Sequence, residues 1–236
     1  MKRTVTRALA LVLATLMLLV SVSCSLLSGE DRVTRLVQGN LDQVYLGEYD
    51  DDYLALVDLT AEQAEEEYQT GLRYEAEFFA YYFGILTEEE SFDALDPALQ
   101  QDIIDLYDEI YSHSRYEVEP SVRQRDGSYT VKVRIEPIEI MVQATEVYES
   151  DGYQPLVDYF AESSELDWAT MTEEDYWADT NRYGALVVSL VRSLLPELRY
   201  GEEKSQVIQV DETEDGYLQI NGDDFAIFDE YVITYP

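Results

Sequence analysis

Fifty aspartates and glutamates stand against fifteen lysines and arginines in this chain of 236 residues, a formal charge of −35. A chain so charged repels itself as it becomes compact, so it folds only if its apolar side chains gather away from the carboxylates. No internal disulfide can help, because Cys24 is its one cysteine. Hydrophobic residues make up 46% of the chain and tyrosine alone accounts for 20 residues, enough for a core and too much for a disordered acidic tail. The same charge repels phosphate backbones and anionic lipid headgroups, which excludes nucleic acid as a partner, and it makes cations natural company. Its plainest role is solubility and mutual repulsion at an exposed surface.

The first residues read as a processing segment. Lys2, Arg3 and Arg7 form a basic start, Ala8 to Val20 is apolar except for Thr15, and the small residues Ser21, Val22 and Ser23 follow. That apolar run falls short of the roughly 20 residues needed to span a bilayer, which suits the hydrophobic region of a signal peptide. Ser21-Val22-Ser23-Cys24 resembles the lipobox of bacterial lipoproteins, with Ser21 standing where leucine is usual. The resemblance implies that residues 1–23 are removed, and that Cys24 takes a diacylglyceryl group as the new N-terminus. The protein would then be held on the extracytoplasmic face of the cell membrane by its lipid. Cleavage there removes three of the 15 basic residues and none of the 50 acidic ones, taking the charge from −35 to −38. Residues 24–30 become a tether of roughly 20 Å ahead of a domain at 31–236.

Periodicity then gives the elements. Val33, Leu36, Val37, Leu41 and Val44 recur at helical spacing and predict a helix from about Asp31 to Leu46. Thr60 and Gln63 form a capping-box pattern ahead of a long helix with a stripe of Ala64, Tyr68, Leu72, Phe79 and Phe83. Asp96-Pro97 opens a third helix carrying Leu99, Ile103, Leu106 and Ile110. From Tyr116 the period falls to two. A strand from Tyr116 to Val122, placed at an edge or bulged by Pro120, turns at Asp126-Gly127 into a second with Tyr129, Val131, Val133 and Ile135 on one face. Ile138 to Tyr148 fits helix and strand equally. Thr172 and Asp175 cap a further helix that ends near Pro196, a hairpin turns at Asp215-Gly216, and a short helix capped near Asp223 closes the chain. The expected fold is α+β, an antiparallel sheet of about four strands with amphipathic helices on one face. Helices followed by an Asp-Gly hairpin occur twice, over 31–149 and 150–236. Two similar halves would give that echo, and so would two unrelated hairpins.

Little in this domain can carry chemistry. His113 is the sole histidine, and its place at the end of the third helix suits an imidazolium beside the helix dipole better than a general base. Pairs among so many carboxylates arise by chance, so a glycan hydrolase built on two acids is an alternative without a preferred pair. Asp211, Thr213, Asp215 and Gly216 imitate the opening of a calcium loop, but Gly222 stands where the bidentate glutamate belongs, which leaves an acidic turn as the competing reading. Asp50-Asp51-Asp52 reads as a loop between helices that could meet a cation. No other cofactor is expected. Tyrosine rings suit binding of sugars, peptides or proteins, and Tyr49, Tyr53, Tyr81, Tyr82, Tyr107 and Tyr111, with Trp168 and Trp177, are the candidate ligand contacts. The same rings also serve as helix residues with buried faces and wet hydroxyls.

Behind its lipobox the chain resembles uncharacterised lipoproteins of Gram-positive bacteria. The resemblance rests on Tyr129-Thr130-Val131-Lys132-Val133 and Gly216-Tyr217-Leu218-Gln219-Ile220, and it implies a fold type without an activity. The expected function is that of a lipid-anchored, non-enzymatic module binding a protein, a wall component or a small ligand. A calcium-binding acidic surface protein is the remaining alternative.

Overall fold

The structure, a computed structural model, describes residues 28–165 and 170–236. The leader, Ser21 to Cys24 and Trp168 lie outside the described residues. Helices come first: α1 (Gly29–Leu41), α2 (Asp51–Val57), α3 (Ala61–Tyr82) and α4 (Pro97–Tyr111). Strands β1 (Arg115–Val118), β2 (Val122–Arg123) and β3 (Tyr129–Glu136) follow, then α5 (Ile140–Glu149), α6 (Gln154–Ser163) and α7 (Glu173–Leu194). The chain ends with β4 (Lys204–Glu212), β5 (Leu218–Ile220) and α8 (Gly222–Asp229). The fold is α+β. It divides into two compact units that interleave along the chain. One takes the residues up to Thr70, Ser114–Pro137 and Tyr200–Ile233; the other takes Gly71–His113, Ile138–Arg199 and Thr234–Pro236.

In the first unit the sheet is antiparallel throughout. Its order is β1-β3-β4-β5, with β2 pairing β3 beyond the break at Pro120, a residue that has no N–H to give a ladder. Tyr129 faces Val210 and Ile135 faces Lys204 across β3 and β4. Alternation then buries Tyr129, Val131, Val133 and Ile135 to 4% exposure or less, as the period-two pattern requires. The opposite face carries ion pairs from Arg134 to Glu117 at 2.6 Å, Arg115 to Glu136 at 3.1 Å and Lys132 to Glu119 at 3.3 Å. Pairs this exposed stabilise by about 1 kcal/mol or less each. Gly127 and Gly216 take φ of 98° and 81° in the two hairpin turns, a region that an L side chain rarely enters.

Helix α1 buries Val33, Leu36, Val37 and Leu41. It begins two residues before its expected start, because the Ser28 hydroxyl accepts from the Asp31 N–H while the Asp31 carboxylate accepts from Ser28. Its last part is not α-helical but a π-helical turn, Asp42–Leu46, closed by Gly47 at φ 62°. Asp50-Asp51-Asp52, expected as a loop, instead starts α2: the Asp50 carboxylate accepts from the Tyr53 N–H at 2.7 Å, and the other two sit where a helix dipole favours negative charge. Helix α8 is capped by Asn221, whose Oδ1 accepts from the N–H groups of Asp223 and Asp224, and not by Asp223. The Asp224 carboxylate then accepts from Gln209 N at 2.9 Å, tying α8 to β4.

The second unit is helical. It contains α3 from Gly71 onward, together with α4 to α7. The caps read from Thr60 with Gln63, Asp96 with Pro97, and Thr172 with Asp175 are all formed. Ile138 to Tyr148 resolves as helix α5, with Ile140, Met141 and Ala144 buried. Helix α7 packs on α4, α5 and α6. It approaches α4 closely at Gly184, where a Cβ would stand 2.7 Å from Leu99 Cδ2. Among the described residues no helix is long and apolar enough to cross a membrane.

One glycine decides how α1 lies on α2. A Cβ on Gly39 would stand 2.3 Å from Tyr53 Cδ2, inside the ring's van der Waals surface, and Tyr53 is 1% exposed with nowhere to move. Gly39→Ala is expected to destabilise by about 1–3 kcal/mol. Gly71→Ala, in an open part of α3, should stabilise by about 0.5–1 kcal/mol. Urea unfolding of both variants checks the sign of each.

Candidate functional site

Tyrosine hydroxyls donating to carboxylates recur through both units. In the first, the π-helical turn presents three polar residues close together. Asp42 accepts from the Tyr116 hydroxyl at 2.6 Å and from Gln38 Nε2 at 2.7 Å. Gln43, 3% exposed, accepts from the Tyr53 hydroxyl at 2.6 Å and donates to Glu67 at 3.0 Å. Tyr45, fully buried, donates to Asp229 at 2.8 Å. A π-helical turn admits one more residue per turn than an α-helix, and such turns are frequent at functional sites.

Burial acts on these groups. It raises the Tyr53 and Tyr116 phenols well above the ordinary range, with the Asp42 charge adding to the rise at Tyr116. Both therefore act as donors, not as phenolates. Burial also raises the Glu67 carboxyl, against the hydrogen bond from Gln43 that lowers it. Asp229 is raised in the same way, with Tyr45 opposing and the charge of Glu230 adding. The Tyr45 ring beside it lies 6.1 Å from Phe228 and 6.5 Å from Phe225.

The second unit holds three aromatic groupings. Tyr107, fully buried, bonds hydroxyl to hydroxyl with Tyr235, whose ring meets Tyr82 and Phe78 edge-on at 4.8 and 4.9 Å. Tyr111 lies 6.1 Å from Tyr107, is 4% exposed and donates to Glu75 at 2.8 Å. Around the turn from Thr87 to Glu90, the Tyr81 hydroxyl donates to the Glu90 carbonyl at 2.8 Å and the Tyr176 hydroxyl to its carboxylate at 2.7 Å. Burial works to raise the Glu90 carboxyl, but the hydrogen bonds from Thr87 and Tyr176 outweigh it and hold the group below the usual range. Trp177 meets Tyr176 edge-on at 5.3 Å. The third grouping stacks Tyr159 on Tyr183 at 5.5 Å, with Phe160 beside them, 42% exposed. Tyr159 donates to Asp179 at 2.7 Å, and burial with that bond pushes its phenol up to about 12.

The candidate ligand contacts therefore do not form one groove. Tyr82, Tyr107 and Tyr111 stand together as packing, their hydroxyls bonded to protein groups. Tyr53 is core, and Tyr49 lies at the surface, 3.5 Å from Glu65. Tyr81, 39% exposed, reaches the Glu90 turn through its hydroxyl, and the half-buried Trp177 packs edge-on against Tyr176, which bonds the Glu90 carboxylate. Asp211 lies exposed on β4, accepting from Gln209 Nε2, and Asp215 stands in the turn beyond it. Among the described residues no three His, Cys, Asp or Glu side chains gather as a metal site. His113 follows α4, its N–H donating to the Ile110 carbonyl at 3.1 Å. Sequence reasoning passed over Glu90, Asp229, Phe160 and Tyr235. Asp229 alone left a signal, as an acid one turn beyond Phe225 on an apolar helix face.

No family model and no curated protein matches the chain. Among solved structures it is similar to a candidate lipoprotein (ycdA) from Bacillus subtilis, with a TM-score of 0.55 over 86% of this chain at 11% identity. The matched part is 56% of that chain's length. At this identity the likeness is one of fold.

Asp229 gives the site a pH signature. A carboxyl raised in the folded state holds its proton more tightly there, so its contribution is most favourable below the unfolded value near 4 and is lost as pH rises through the folded value. Asp229→Asn keeps an acceptor for Tyr45 and removes the charge. It is expected to be more stable than the parent at pH 7, with the gap closing below about pH 4. Thermal unfolding at the two pH values checks both the direction and the convergence.

Proposed function

We propose that this protein is a lipid-anchored, extracytoplasmic module that binds a ligand without transforming it. The observation that carries the reading is Cys24, the lone thiol, directly behind a basic, apolar and small-residue leader and ahead of a foldable α+β domain. The likeness in fold to a protein described as a candidate Bacillus subtilis lipoprotein supports it. The ligand-contact surface in this reading is Tyr81, bonded to the Glu90 backbone, together with Trp177, which packs on the tyrosine that holds the Glu90 carboxylate. Two aromatic faces next to a carboxylate suit a sugar, or a peptide with a basic side chain, because rings take C–H groups and cations while the acid takes donors. The non-enzymatic part of the reading is supported by the engagement of Asp42, Asp102 and Asp229 with tyrosine or arginine.

Intact-mass and peptide analysis of the protein from native membranes is expected to find Cys24 at the N-terminus with a diacylglyceryl mass. Cys24→Ala is expected to release the chain from the membrane or leave the leader attached. Recovery of an unmodified thiol in the parent would remove the anchoring reading. For binding, a Tyr81→Ala/Trp177→Ala variant should lose partners or glycans captured by the parent while its melting temperature moves by no more than a few degrees. Hydrolysis of a captured glycan by the parent would replace the module with an enzyme.

A further inference from the structure

Among the described residues there are twelve lysines and arginines, and eight of them form ion pairs with carboxylates. With carboxylates so plentiful, a basic side chain that lacks one stands out. The four without an ion pair are Arg32, Arg123, Arg125 and Lys204, and the first three belong to one end of the sheet. Arg123 pairs with Tyr129 in the β2–β3 ladder and holds its guanidinium 5.7 Å from that ring. Arg125 lies exposed in the turn between the two strands. The start of α1 is fastened to the same place: Ser121 Oγ donates to the Glu30 carbonyl at 2.8 Å, Ser121 N donates to Thr34 Oγ1 at 2.9 Å, and a Cβ on Gly29 would stand 2.5 Å from the Tyr129 hydroxyl. Val122, in the middle of this group, is 59% exposed, the most open of the large apolar side chains.

Where the tether leaves the domain decides what this end meets. Covalent geometry keeps Ser28 within about 14 Å of Cys24, so an acyl chain on that cysteine brings the β2–β3 hairpin to the lipid headgroups. We infer that this hairpin is the surface that docks on an anionic bilayer, with Arg123 and Arg125 taking lipid phosphates and Val122 entering the interface. The inference rests on the anchoring reading above. The charges nearby permit it. Glu30, Asp31 and Asp126 balance Arg32, Arg123 and Arg125, so the β2 side of this end is neutral on balance in a processed chain of −38. Asp31 is engaged by Ser28, and Asp126 by the Ser128 N–H and hydroxyl. The β4–β5 hairpin leaves the same end of the sheet: Asp211 and Glu212 end β4 one strand spacing, about 5 Å, from β3, and Glu214 and Asp215 lie in a turn about two spacings or 10 Å from the β2–β3 turn. Only the turn acids lie at about one screening length, about 8 Å at physiological salt. A headgroup plane therefore attracts one tip and repels the other, which fixes how the domain stands on the membrane.

The test uses the lipidated protein from native membranes in vesicles of phosphatidylglycerol or of phosphatidylcholine alone, read by hydrogen exchange. Residues 121–129 are expected to gain several-fold protection in phosphatidylglycerol, to lose it in high salt, and to lose it in Arg123→Gln/Arg125→Gln. Lys204→Gln, at the far end of β4, should leave it unchanged. If Cys24 proves unacylated, coupling its thiol to a maleimide lipid restores the tether, so the docking surface is tested whether or not the cell supplies the anchor. Equal protection in both lipids, protection centred on the β4–β5 hairpin, or protection by soluble poly(glycerol phosphate) but not by vesicles would overturn the inference.

Discussion

Each carboxylate drawn toward a protein interior must receive hydrogen bonds or take up a proton, and here fifty acids share fifteen basic side chains. Phenols make up the shortfall. Tyr45 with Asp229, Tyr116 with Asp42, Tyr111 with Glu75, Tyr159 with Asp179 and Tyr176 with Glu90 place a neutral donor on an acceptor at 2.6–2.8 Å. Such a bond to a charged group contributes about 1.5–3 kcal/mol when shielded, and it brings no second charge that must itself be desolvated. The tyrosine ring supplies apolar area at the same position. Tyrosine abundance and acidity are thus one arrangement: the rings build the core, and their hydroxyls hold the acids at its border.

Much of the fold was legible because it depends on local pattern. The caps at Thr60, Asp96 and Thr172, the alternation through Tyr129 to Ile135 and the two Asp-Gly turns act over a few residues, and all appear where the sequence puts them. Departures arise where tertiary packing overrides local signals. The π-helical turn at Asp42–Leu46 coincides with polar partners that come from Tyr116, Tyr53 and Asp229, none of them local. Asp50 to Asp52 look like a solvated loop by charge alone, yet the same charges favour a helix start.

The candidate site was legible in part. Residue type picked out Tyr81 and Trp177, but it also picked out Tyr107 and Tyr111, since a buried phenol and a ligand-facing one are the same letter. What separates them is partner geometry: Tyr107 meets Tyr235, and no spacing rule reaches across 128 residues. Glu90 could not be singled out among fifty acids, because its role comes from two tyrosines brought to it by different helices.

The interleaving of the two units bears on how the chain reaches its native state. Synthesis proceeds from the N-terminus, yet the aromatic cluster around Tyr107 is closed by Tyr235, made 128 residues later. Neither unit is a continuous stretch, so no nascent fragment can finish one before the other begins. Until Tyr235 emerges, the growing polypeptide carries open apolar surface together with a large negative charge, and that repulsion between copies keeps unfinished chains apart.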